Sequence, residues 1–526
     1  MAEYDVIIVG GGITGAGTAR DCALRGLKTL LVERNDIATG ATGRNHGLLH
    51  SGARYAVKDA ESARECIAEN KILRRIARHC VDPTGGIFIT LPEDADEGYG
   101  LDYQATFIEA CHAAGIDAHR ISPEKARALE PSVNPALIGA VSVPDASVDP
   151  FRLCAANMLD ARLHGADILT GTTFLDFIMQ DSKVVGVRVG RNGAEEEYFA
   201  PVTVNAAGIW GHGVALKAGI DINMYPAKGT LLVFGHRVNG VVLNRCRKSA
   251  DGDILVPGDS VTVIGTTSTK VPFEECDVVS PTFDEVKLML EQGCKLCPSL
   301  ASTRILRAYS GVRPLVADDS DPTGRSISRG IVCLDHAVRD GVEGLVTITG
   351  GKLMTYRLMA EQAADMVCSK LGVKKKCRTA STPLPGSEGD FKPDGIAQRA
   401  AAGRQGTSAA GLDFSGEGSF LVCECENVSR AEIEYAVREL GVRSITDLRR
   451  RTRVGMGTCQ GTYCIHKVAK VLAEALGTPE KAPELAAEYL QERWKGMTPV
   501  AWGETLRQME LMQKVYKEGL PYTYEV

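Results

Sequence analysis

Three glycines near the start of the chain have the spacing of a turn that binds a dinucleotide. Gly10, Gly12 and Gly15 follow the apolar run Val6–Val9 in the pattern G-x-G-x-x-G. The first glycine permits a tight turn, the second lets the backbone approach a pyrophosphate, and the third lets a helix pack close to a strand. Glu33 ends the next apolar run, where a carboxylate can accept both ribose hydroxyls of an adenosine. The pattern predicts a dinucleotide site without distinguishing FAD from NAD.

The stretch after Glu33 is suited to run along the rest of such a cofactor. Residues 36–56 read DIATGATGRNHGLLHSGARYA, with no helical or strand period. Small polar residues there can offer N–H and hydroxyl groups to pyrophosphate and flavin, and we expect Thr39, Thr42 and His46 to contact the cofactor. His46 and His50 are each either structural hydrogen-bond donors or catalytic groups.

Two later glycine-bearing stretches predict contacts to the same cofactor. Thr203–Ala207 is a predicted buried strand that stops at Ala207 and Gly208, where backbone can approach a dinucleotide from the other side. Leu345–Thr349 repeats the opening pattern, because Gly350 and Gly351 and then a helix beginning near Lys352 follow this second strand. A helix dipole and an ammonium at that position can stabilise a reduced flavin. The alternative is a lysine at an ordinary helix cap.

Two arginines have positions suited to an anionic substrate. Arg54, with Tyr55, closes the polar loop, where the pair is either a surface pair or part of an anion clamp. Arg313 stands beside glycine and proline at a predicted strand end, in the sequence AYSGVRPLV. Both positions predict a site for a small anion near the cofactor.

Four cysteines near residue 440 have a spacing that predicts a metal centre. Cys423 and Cys425 form a C-x-C pair, and Cys459 and Cys464 form a glycine-bordered C-x4-C pair. Structural zinc usually uses paired C-x-x-C knuckles, so this spacing favours a [2Fe-2S] cluster, with zinc as the alternative. The pair at residues 294 and 297 ends a helical run and has no second pair, so we expect it to be structural.

Composition limits the classes to which the chain can belong. At 526 residues the chain is too long to fold around a single hydrophobic core, and about three domains are expected. A net charge of −6 argues against general nucleic-acid binding. No apolar run reaches the length of a membrane span, and no signal-peptide pattern precedes the first strand. Sixteen cysteines without secretion signals indicate a reducing compartment.

The order of elements predicts an α/β fold with three parts. A Rossmann-like FAD-binding domain spans about 1–80, 150–215 and 330–375, and a mixed α+β substrate domain is inserted at about 81–149 and 216–329. A linker rich in Pro, Gly and Ser (376–419), a small helical iron–sulfur domain (420–475) and a helical tail (476–526) follow. The predicted helices are Ala60–Ala77, Leu101–Ala114, Pro123–Leu129 and Asp149–His164; the predicted strands of the substrate domain are Gly85–Thr90, Leu137–Val143, Thr230–Phe234, Ile254–Val256 and Val261–Thr266.

Two further features of the C-terminal third have alternative interpretations. The basic run Arg449–Arg453 is either a solvated face, a docking site for an acidic partner, or a balance to the cluster charge. The stripe over Glu504–Glu518 either packs on its own domain or docks a partner or a membrane surface.

Together these motifs resemble the FAD-dependent glycerol-3-phosphate dehydrogenase family, within the D-amino-acid-oxidase type of flavoprotein. The C-terminal module resembles the bacterioferritin-associated-ferredoxin type of [2Fe-2S] domain. The motifs that carry the resemblance are GATGRNHGLLHSGARYA, YSGVRPLV, ITGGKLMTYRLMAE, CECENV, GMGTCQGTYC and ERWKG, and the resemblance extends over nearly the whole chain.

The resemblance implies the roles of several residues. Arg54, Arg313 and Arg329 match substrate-binding arginines, and Lys352 matches a lysine near the flavin. Where aerobic relatives have a histidine after Lys-Gly-Ser, this chain has Lys-Gly-Thr-Leu at 228–231, so no proton-transfer role is carried over.

The resemblance also implies an activity and partners. It implies oxidation of glycerol 3-phosphate, with electrons passing through the cluster and companion subunits B and C to membrane quinone. The implied location is cytoplasmic and peripheral, on the inner face of the cell membrane. The alternatives are an amino-acid or opine dehydrogenase with the same appendage, and a redox sensor on an inert flavoprotein.

Overall fold

The sheet that holds the glycine turn lies at the centre of the computed structural model, which describes residues 3–316 and 330–518, with side chains only to residue 514. Five of its six strands are parallel and one edge strand is antiparallel. The central strands are buried along their whole length, as strands covered by helices on both faces must be. From edge to edge the strands are Ile331–Asp335, Leu345–Gly350, Val202–Asn205, Val6–Val9, Thr29–Val32 and Asp167–Leu169.

Helices pack closely on this sheet because small residues let them approach. A Cβ on Gly17 would stand 2.9 Å from the ring of Tyr356, so the first helix can only lie against the last one of the domain with glycine there. Asn157 donates from Nδ2 to the Tyr356 hydroxyl at 3.0 Å and joins a third helix to the pair. The helices of this domain are Ile13–Leu24, Ala60–Ile76, Pro150–Leu163, Gly211–Leu216, His336–Arg339 and Tyr356–Leu371.

The inserted domain is a large mixed sheet, as the sequence predicts. Its longest strands, Met224–Phe234 and Ile305–Val316, pair antiparallel along almost their whole length. Along the main path of the sheet the strands are Thr269–Lys270, Met224–Phe234, Thr262–Gly265, Ile254–Pro257, Val242–Arg245, Gly86–Thr90, Gly139–Val143 and His119–Ile121. The inserted domain also contains four helices, Pro92–Asp96, Leu101–Ala113, Pro123–Leu129 and Phe283–Leu296.

Two smaller sheets complete the first 375 residues. An antiparallel meander of Thr172–Gln180, Lys183–Arg191 and Ala194–Phe199, which the sequence analysis does not predict, packs on one face of the nucleotide sheet. The second small sheet pairs Leu48–Leu49 and Val81–Asp82 with Ala146–Val148, and it fixes the end of the polar loop.

The C-terminal third has its own apolar core, and the segment predicted as a linker forms part of it. Within 376–419 the structure has a helix, Gly395–Gln405, and Ala401 and Leu412 are buried among the residues of the cysteine module. Arg404 of this helix forms a buried ion pair with Glu432 at 2.5 Å. The prediction of a linker was therefore wrong for this segment. The alanines of the helix pack into the core of the module although the sequence has only a weak apolar period. The other elements of the module are Leu421–Cys423, Val428–Ser429, Arg430–Leu440, Ile445–Thr452, Ile465–Ala475, Ala482–Met497 and Gly503–Glu518.

The tail helix packs mainly on its own chain. Met509 and Met512 are buried in the core of the cysteine module, while Leu506 is 43% exposed. Among the described residues, no helix has both the length and the apolar character needed to cross a membrane.

Candidate active site and cluster site

The glycine turn has the close approaches that its spacing predicts. A Cβ on Gly15 would stand 1.9 Å from the carbonyl oxygen of Gly10, so only glycine lets the helix begin this close to the strand. Gly10 has a φ of +116°, and a Cβ there would stand 2.9 Å from the Cα of Ala207. The backbone of Ala207 therefore lies against the turn.

Glu33 is held at the end of its strand by backbone donors. Its Oε2 accepts a hydrogen bond from Gly11 N at 2.6 Å, and its Oε1 accepts one from Asn35 N at 2.9 Å. Burial raises the pKa of Glu33, and these two hydrogen bonds oppose that effect. A carboxylate accepts about four hydrogen bonds, so capacity for the two ribose hydroxyls of FAD is left.

A cavity of about 1270 Å³ collects many of the residues that the sequence singles out. It begins at the N-terminus of the first helix, where Thr42 Oγ1 accepts a hydrogen bond from Ile13 N at 3.0 Å, and it extends to the inserted sheet. An extended dinucleotide cofactor that begins at the glycine turn would fit along this cavity. The predicted residues that line it are Thr42, His46, His50, Arg54, Tyr55, Arg313, Gly350, Gly351 and Lys352.

Arg313 reaches the cavity through the space that a glycine leaves on the neighbouring strand. Gly229 faces it, and a Cβ there would stand 2.5 Å from Arg313 Nη2. The guanidinium donates to the Thr266 hydroxyl and to the Thr267 carbonyl, the latter at 3.0 Å. These contacts orient a planar cation that can hold a phosphate in bidentate fashion.

Arg54 is anchored by a buried carboxylate that also holds a cation the sequence analysis missed. Asp253 accepts from Arg54 Nη2 at 3.0 Å and from Arg247 Nη2 at 2.8 Å. The Arg54 Nη1 atom is buried, and within the described ranges no residue accepts a hydrogen bond from it. Arg247 also lines the cavity. Its only sequence signal is the basic run RCRK at residues 245–248.

Lys352 also lines this cavity. Its Nζ donates to Ser62 Oγ at 3.1 Å and lies 5.0 Å above the centre of the Tyr55 ring. The His50 ring lies 5.6 Å from the Tyr55 ring and 6.1 Å from the His46 ring. Lys352 thus adds positive charge beside a row of aromatic rings.

Leu231 stands where the aerobic relatives have a histidine, and it is fully buried. Lys228, three residues before it, forms a buried ion pair. Lys228 Nζ lies 2.8 Å from Glu285 Oε2, and both side chains are largely buried. Burial raises the pKa of Glu285, but Lys228 and the hydrogen bonds around it hold that pKa below its usual value. Thr230 is hydrogen-bonded to Ser310 at 2.8 Å between their hydroxyl oxygens. Neither Lys228 nor Thr230 replaces a histidine.

Seven of the predicted FAD-site residues lie outside the lining of this cavity: Gly10, Gly12, Gly15, Glu33, Thr39, Ala207 and Gly208. Thr39 lies on a neighbouring cavity of about 1250 Å³ between the flavin-type domain and the cysteine module, which His46 also lines. Gly208 follows Ala207 and has a φ of +59°. The predicted substrate residue Arg329 falls outside the described residues.

The four predicted cysteines meet at one place in the C-terminal module. Cys425 Sγ lies 3.9 Å from Cys423 Sγ and 3.6 Å from Cys459 Sγ. Hydrogen bonds among the sulfurs lower the pKa of Cys423 and Cys459 and raise that of Cys425 and Cys464. Four cysteine sulfurs gathered at one place are the donor set of a [2Fe-2S] cluster, so the arrangement fits the predicted cluster.

Backbone amides also surround this group. Gly455 and Glu426 donate N–H groups to Cys423, and Gly461 and Tyr463 donate to Cys459. Such bonds stabilise negative charge on sulfur and tune a cluster.

A tyrosine from the tail, which the sequence analysis missed, holds the cysteine loop. The Tyr489 hydroxyl donates to the carbonyls of Gly455 and Gln460, at 2.9 and 3.2 Å. Its ring fills the space beside Gly455 and Gly461, where a Cβ would stand 2.3 and 2.7 Å from Tyr489 atoms. No local sequence pattern points to this contact.

The basic run docks the module on the flavin-type domain instead of forming a solvated face. Arg451 Nη2 donates to Asp36 Oδ1 at 2.6 Å, and Arg450 Nη1 donates to Asp36 Oδ2 at 2.8 Å. Arg453 lies 3.1 Å from Asp259 of the inserted domain and 3.0 Å from Glu426 of its own module. The cysteine module is therefore joined to the flavin-type domain by a buried ion pair and to the inserted domain by a partly exposed one.

The other cysteine pair has the environment of packing residues. Cys297 is fully buried and Cys294 is partly buried, and neither is in a disulfide. Burial raises the pKa of Cys294. This agrees with the structural role predicted for the pair.

Two family models match the chain. The FAD dependent oxidoreductase model matches residues 5–357, and the BFD-like [2Fe-2S] binding domain model matches residues 421–474. The first model covers the flavin-type domain and the inserted domain, and the second covers the four cysteines.

Curated relatives match over nearly the whole length. The A subunit of the anaerobic glycerol-3-phosphate dehydrogenase of Escherichia coli K12 is 58% identical, over 98% of this chain and 96% of its own. The A1 subunit of the anaerobic glycerol-3-phosphate dehydrogenase of Haloferax volcanii is 43% identical, over 97% and 89%.

Among solved structures, a glycerol-3-phosphate dehydrogenase from Bacillus halodurans complexed with FAD has a TM-score of 0.70 at 23% identity, covering 94% of this chain and 96% of its own. A glycine oxidase from Bacillus cereus has a TM-score of 0.57 at 22% identity, covering 70% and 98%. At these identities, the likeness concerns the fold.

Proposed function

The chain belongs to the FAD dependent oxidoreductases, and within them to the catalytic chains of the anaerobic glycerol-3-phosphate dehydrogenases, and from this premise we propose that it oxidises sn-glycerol 3-phosphate to dihydroxyacetone phosphate. Its cofactors are FAD and a [2Fe-2S] cluster. The observation that carries the proposal is the single cavity in which Arg54, Arg313 and Lys352 stand next to the glycine turn.

The cations of the cavity fit the phosphate of this substrate. A glycerol phosphate is a small dianion, and two guanidiniums from different elements can hold it with several charge-assisted hydrogen bonds. Arg313 reaches in from the inserted sheet, and Arg54 offers its buried Nη1 from the end of the polar loop. Arg247, held by the same carboxylate as Arg54, adds a third cation. Arg329 remains a fourth candidate by resemblance.

The remaining residues would hold the secondary alcohol and the cofactor. FAD supplies the hydride acceptor, at its N5, for the hydrogen on C2. We assign Gly10, Gly12, Gly15 and Glu33 to its adenosine and pyrophosphate. The residues assigned to the rest of FAD are Thr39, Thr42, His46, Ala207, Gly208, Gly350 and Gly351, with Lys352 and Tyr55 at the reacting end.

Electrons leave through the cysteine module in this proposal. Two electrons taken as hydride must be released one at a time, and a [2Fe-2S] cluster on Cys423, Cys425, Cys459 and Cys464 carries single electrons. The names of the relatives describe one subunit of a larger enzyme. We therefore propose companion subunits B and C, quinone as the final acceptor, and a peripheral position on the inner face of the cell membrane.

The direct test is anaerobic titration of the full-length holoprotein with glycerol 3-phosphate while the flavin absorbance is recorded. We expect stoichiometric bleaching. Arg313→Lys keeps the charge but loses the bidentate fork, so it should weaken glycerol 3-phosphate much more than glycerol, which has no phosphate.

Three results would contradict the proposal. Equal losses for both substrates would make Arg313 a structural arginine. Bleaching by an amino acid or opine, but not by glycerol 3-phosphate, would favour the dehydrogenase alternative. The absence of bleaching by any small substrate would favour the sensor alternative.

A further inference from the structure

One strand of the inserted domain reaches both functional sites. Ile305–Val316 carries Arg313 into the cavity near its end, and Arg304 stands immediately before its start. The Arg304 guanidinium donates from Nη2 to the carbonyl of Thr458, the residue before Cys459, and from Nη1 to Gln508 Oε1 at 3.2 Å. A cation of the substrate domain is thus fixed beside a cysteine of the cluster.

A second arginine binds the next carbonyl along the same loop. Arg493, the arginine of the ERWKG motif, is 2% exposed and donates from Nη2 to the carbonyl of Cys459 at 3.4 Å. It comes from the helix Ala482–Met497, whereas Arg304 comes from the inserted sheet. Two separate parts of the chain therefore place positive charge on consecutive peptides at one cluster ligand.

The carboxylate that acts on Arg304 is that of Glu504, and it forms its ion pair with Arg507 instead. In the part of the chain that the structure describes, no carboxylate forms an ion pair with Arg304. Burial lowers the pKa of Arg304, while the Cys459 sulfur and, after it, the Glu504 carboxylate raise it. Keeping a half-buried cation without a carboxylate partner is costly unless another negative group faces it.

That negative group becomes more negative when the cluster is reduced. Reduction adds one electron and no atom, so the total charge of the cluster and its four thiolates falls by one. A fixed cation lowers the free energy of the reduced form more than that of the oxidised form, and so raises the potential.

We propose that Arg304, supported by Arg493, is a positioning residue that raises the reduction potential of the cluster, so that it accepts electrons from FAD reduced by substrate. This inference rests on the proposed function for the source of the electrons. The Arg304 charge acts through the peptide of Cys459, whereas the substrate contacts belong to Arg313, nine residues along the same strand.

The test is a potentiometric titration of the full-length holoprotein with dithionite and mediators, followed by the EPR signal of the reduced cluster. Arg304→Gln removes the charge but keeps an amide that can donate to Thr458. We expect the ratio of reduced to oxidised cluster at a fixed potential to fall about tenfold, which is 59 mV for one electron. Arg304→Lys keeps the charge and should restore most of the potential.

The matched control is Arg438→Gln, which removes an exposed arginine paired with Glu439 in the same module. It should leave the potential unchanged. Iron content and flavin bleaching by glycerol 3-phosphate are measured on each protein.

Equal potentials for Arg304→Gln and the parent would overturn the proposal. So would a shift of the same size in Arg304→Gln, Arg304→Lys and Arg438→Gln, because charge at residue 304 would then not be the cause. Arg493→Gln is the second variant if Arg304→Gln loses its iron, and an unchanged potential there would also overturn the proposal. A parent protein that is not bleached by glycerol 3-phosphate would refute the proposed function alone, since dithionite poises the cluster without substrate.

Discussion

Removing the carboxylate of Asp36 is expected to loosen the cysteine module from the flavin-type domain. Asp36 lies three residues after Glu33, and its two oxygens accept three hydrogen bonds from Arg450 and Arg451. The side chain of Arg451 is 2% exposed and that of Asp36 is 10% exposed. Asp36→Ala therefore leaves a buried guanidinium without its partner.

The size of the effect follows from this burial. Removing one member of a buried ion pair costs about 3–5 kcal/mol, because the remaining charge stays desolvated. Asp36 and Arg450 retain some exposure, so we expect about 3 kcal/mol in the free energy of docking and unfolding of the module. Removing both charges, as in Asp36→Asn with Arg451→Met, should recover much of this loss.

The assay is urea unfolding of the holoprotein, with the visible circular dichroism of the cluster and the fluorescence of the flavin recorded in parallel. In Asp36→Ala the cluster signal should be lost at lower urea than in the parent. The control is Glu439→Gln, which removes one carboxylate from the exposed pair with Arg438. A cluster midpoint in Asp36→Ala equal to that of the control would refute the reasoning.

The same ion pair predicts a dependence on pH with a definite sign. Burial raises the pKa of Asp36, but Arg451 and Arg450 hold it below its usual value. A carboxyl with a depressed folded pKa contributes stability above its unfolded pKa, about 3.9, and loses it as the pH falls through the folded value. The parent should therefore lose docking stability below about pH 4, and the difference from Asp36→Ala should shrink there.

Three other substitutions test the assigned sites. Glu33→Ala should weaken FAD binding by about 1.5–3 kcal/mol, measured by equilibrium dialysis; full occupancy with unchanged affinity would make the assignment wrong. Gly229→Ala places a Cβ 2.5 Å from Arg313 Nη2, so it should raise the KM for glycerol 3-phosphate with little change in Tm, and an unchanged KM would contradict the role of Arg313. Cys459→Ser should remove or alter the cluster EPR signal and slow electron transfer to an acceptor, yet leave flavin bleaching intact. Replacing Cys294 and Cys297 should change neither the EPR signal nor the transfer rate. A Cys459→Ser protein with the parental transfer rate would contradict the cluster pathway.

Patterns within a few tens of residues were predictable from the sequence. The glycine turn and Glu33 lie within one strand–helix–strand unit, and their spacing reflects contacts that this unit makes with itself. The four cysteines are spread over two short motifs, and their meeting point follows from the chemistry of thiolate ligands. The helix Gly395–Gln405 was missed because its alanines have no strong apolar period, although the core of the module buries one side of it.

Contacts between distant segments could not be predicted in this way. Asp36 and Arg451 are 415 positions apart, and Arg304 and Thr458 are 154 apart. Nothing in the composition around either residue indicates its partner. Arg247 and Tyr489 were missed for the same reason, since each acts through a residue of another element.

The chemistry of the interface explains why it is built from charges. Buried ion pairs add little net stability compared with apolar contacts of the same size, but an unpaired charge is penalised heavily, so only one docking arrangement satisfies all of them. Arg451 with Asp36, and Arg453 with Asp259, fix the cysteine module against two domains at once. Burial raises the pKa of Asp259, yet its arginine neighbours hold that pKa far below the usual value, so the pair stays charged at neutral pH. In the proposed path from flavin to cluster, these ion pairs would hold the domain that binds FAD and the module that binds the cluster in one relative position.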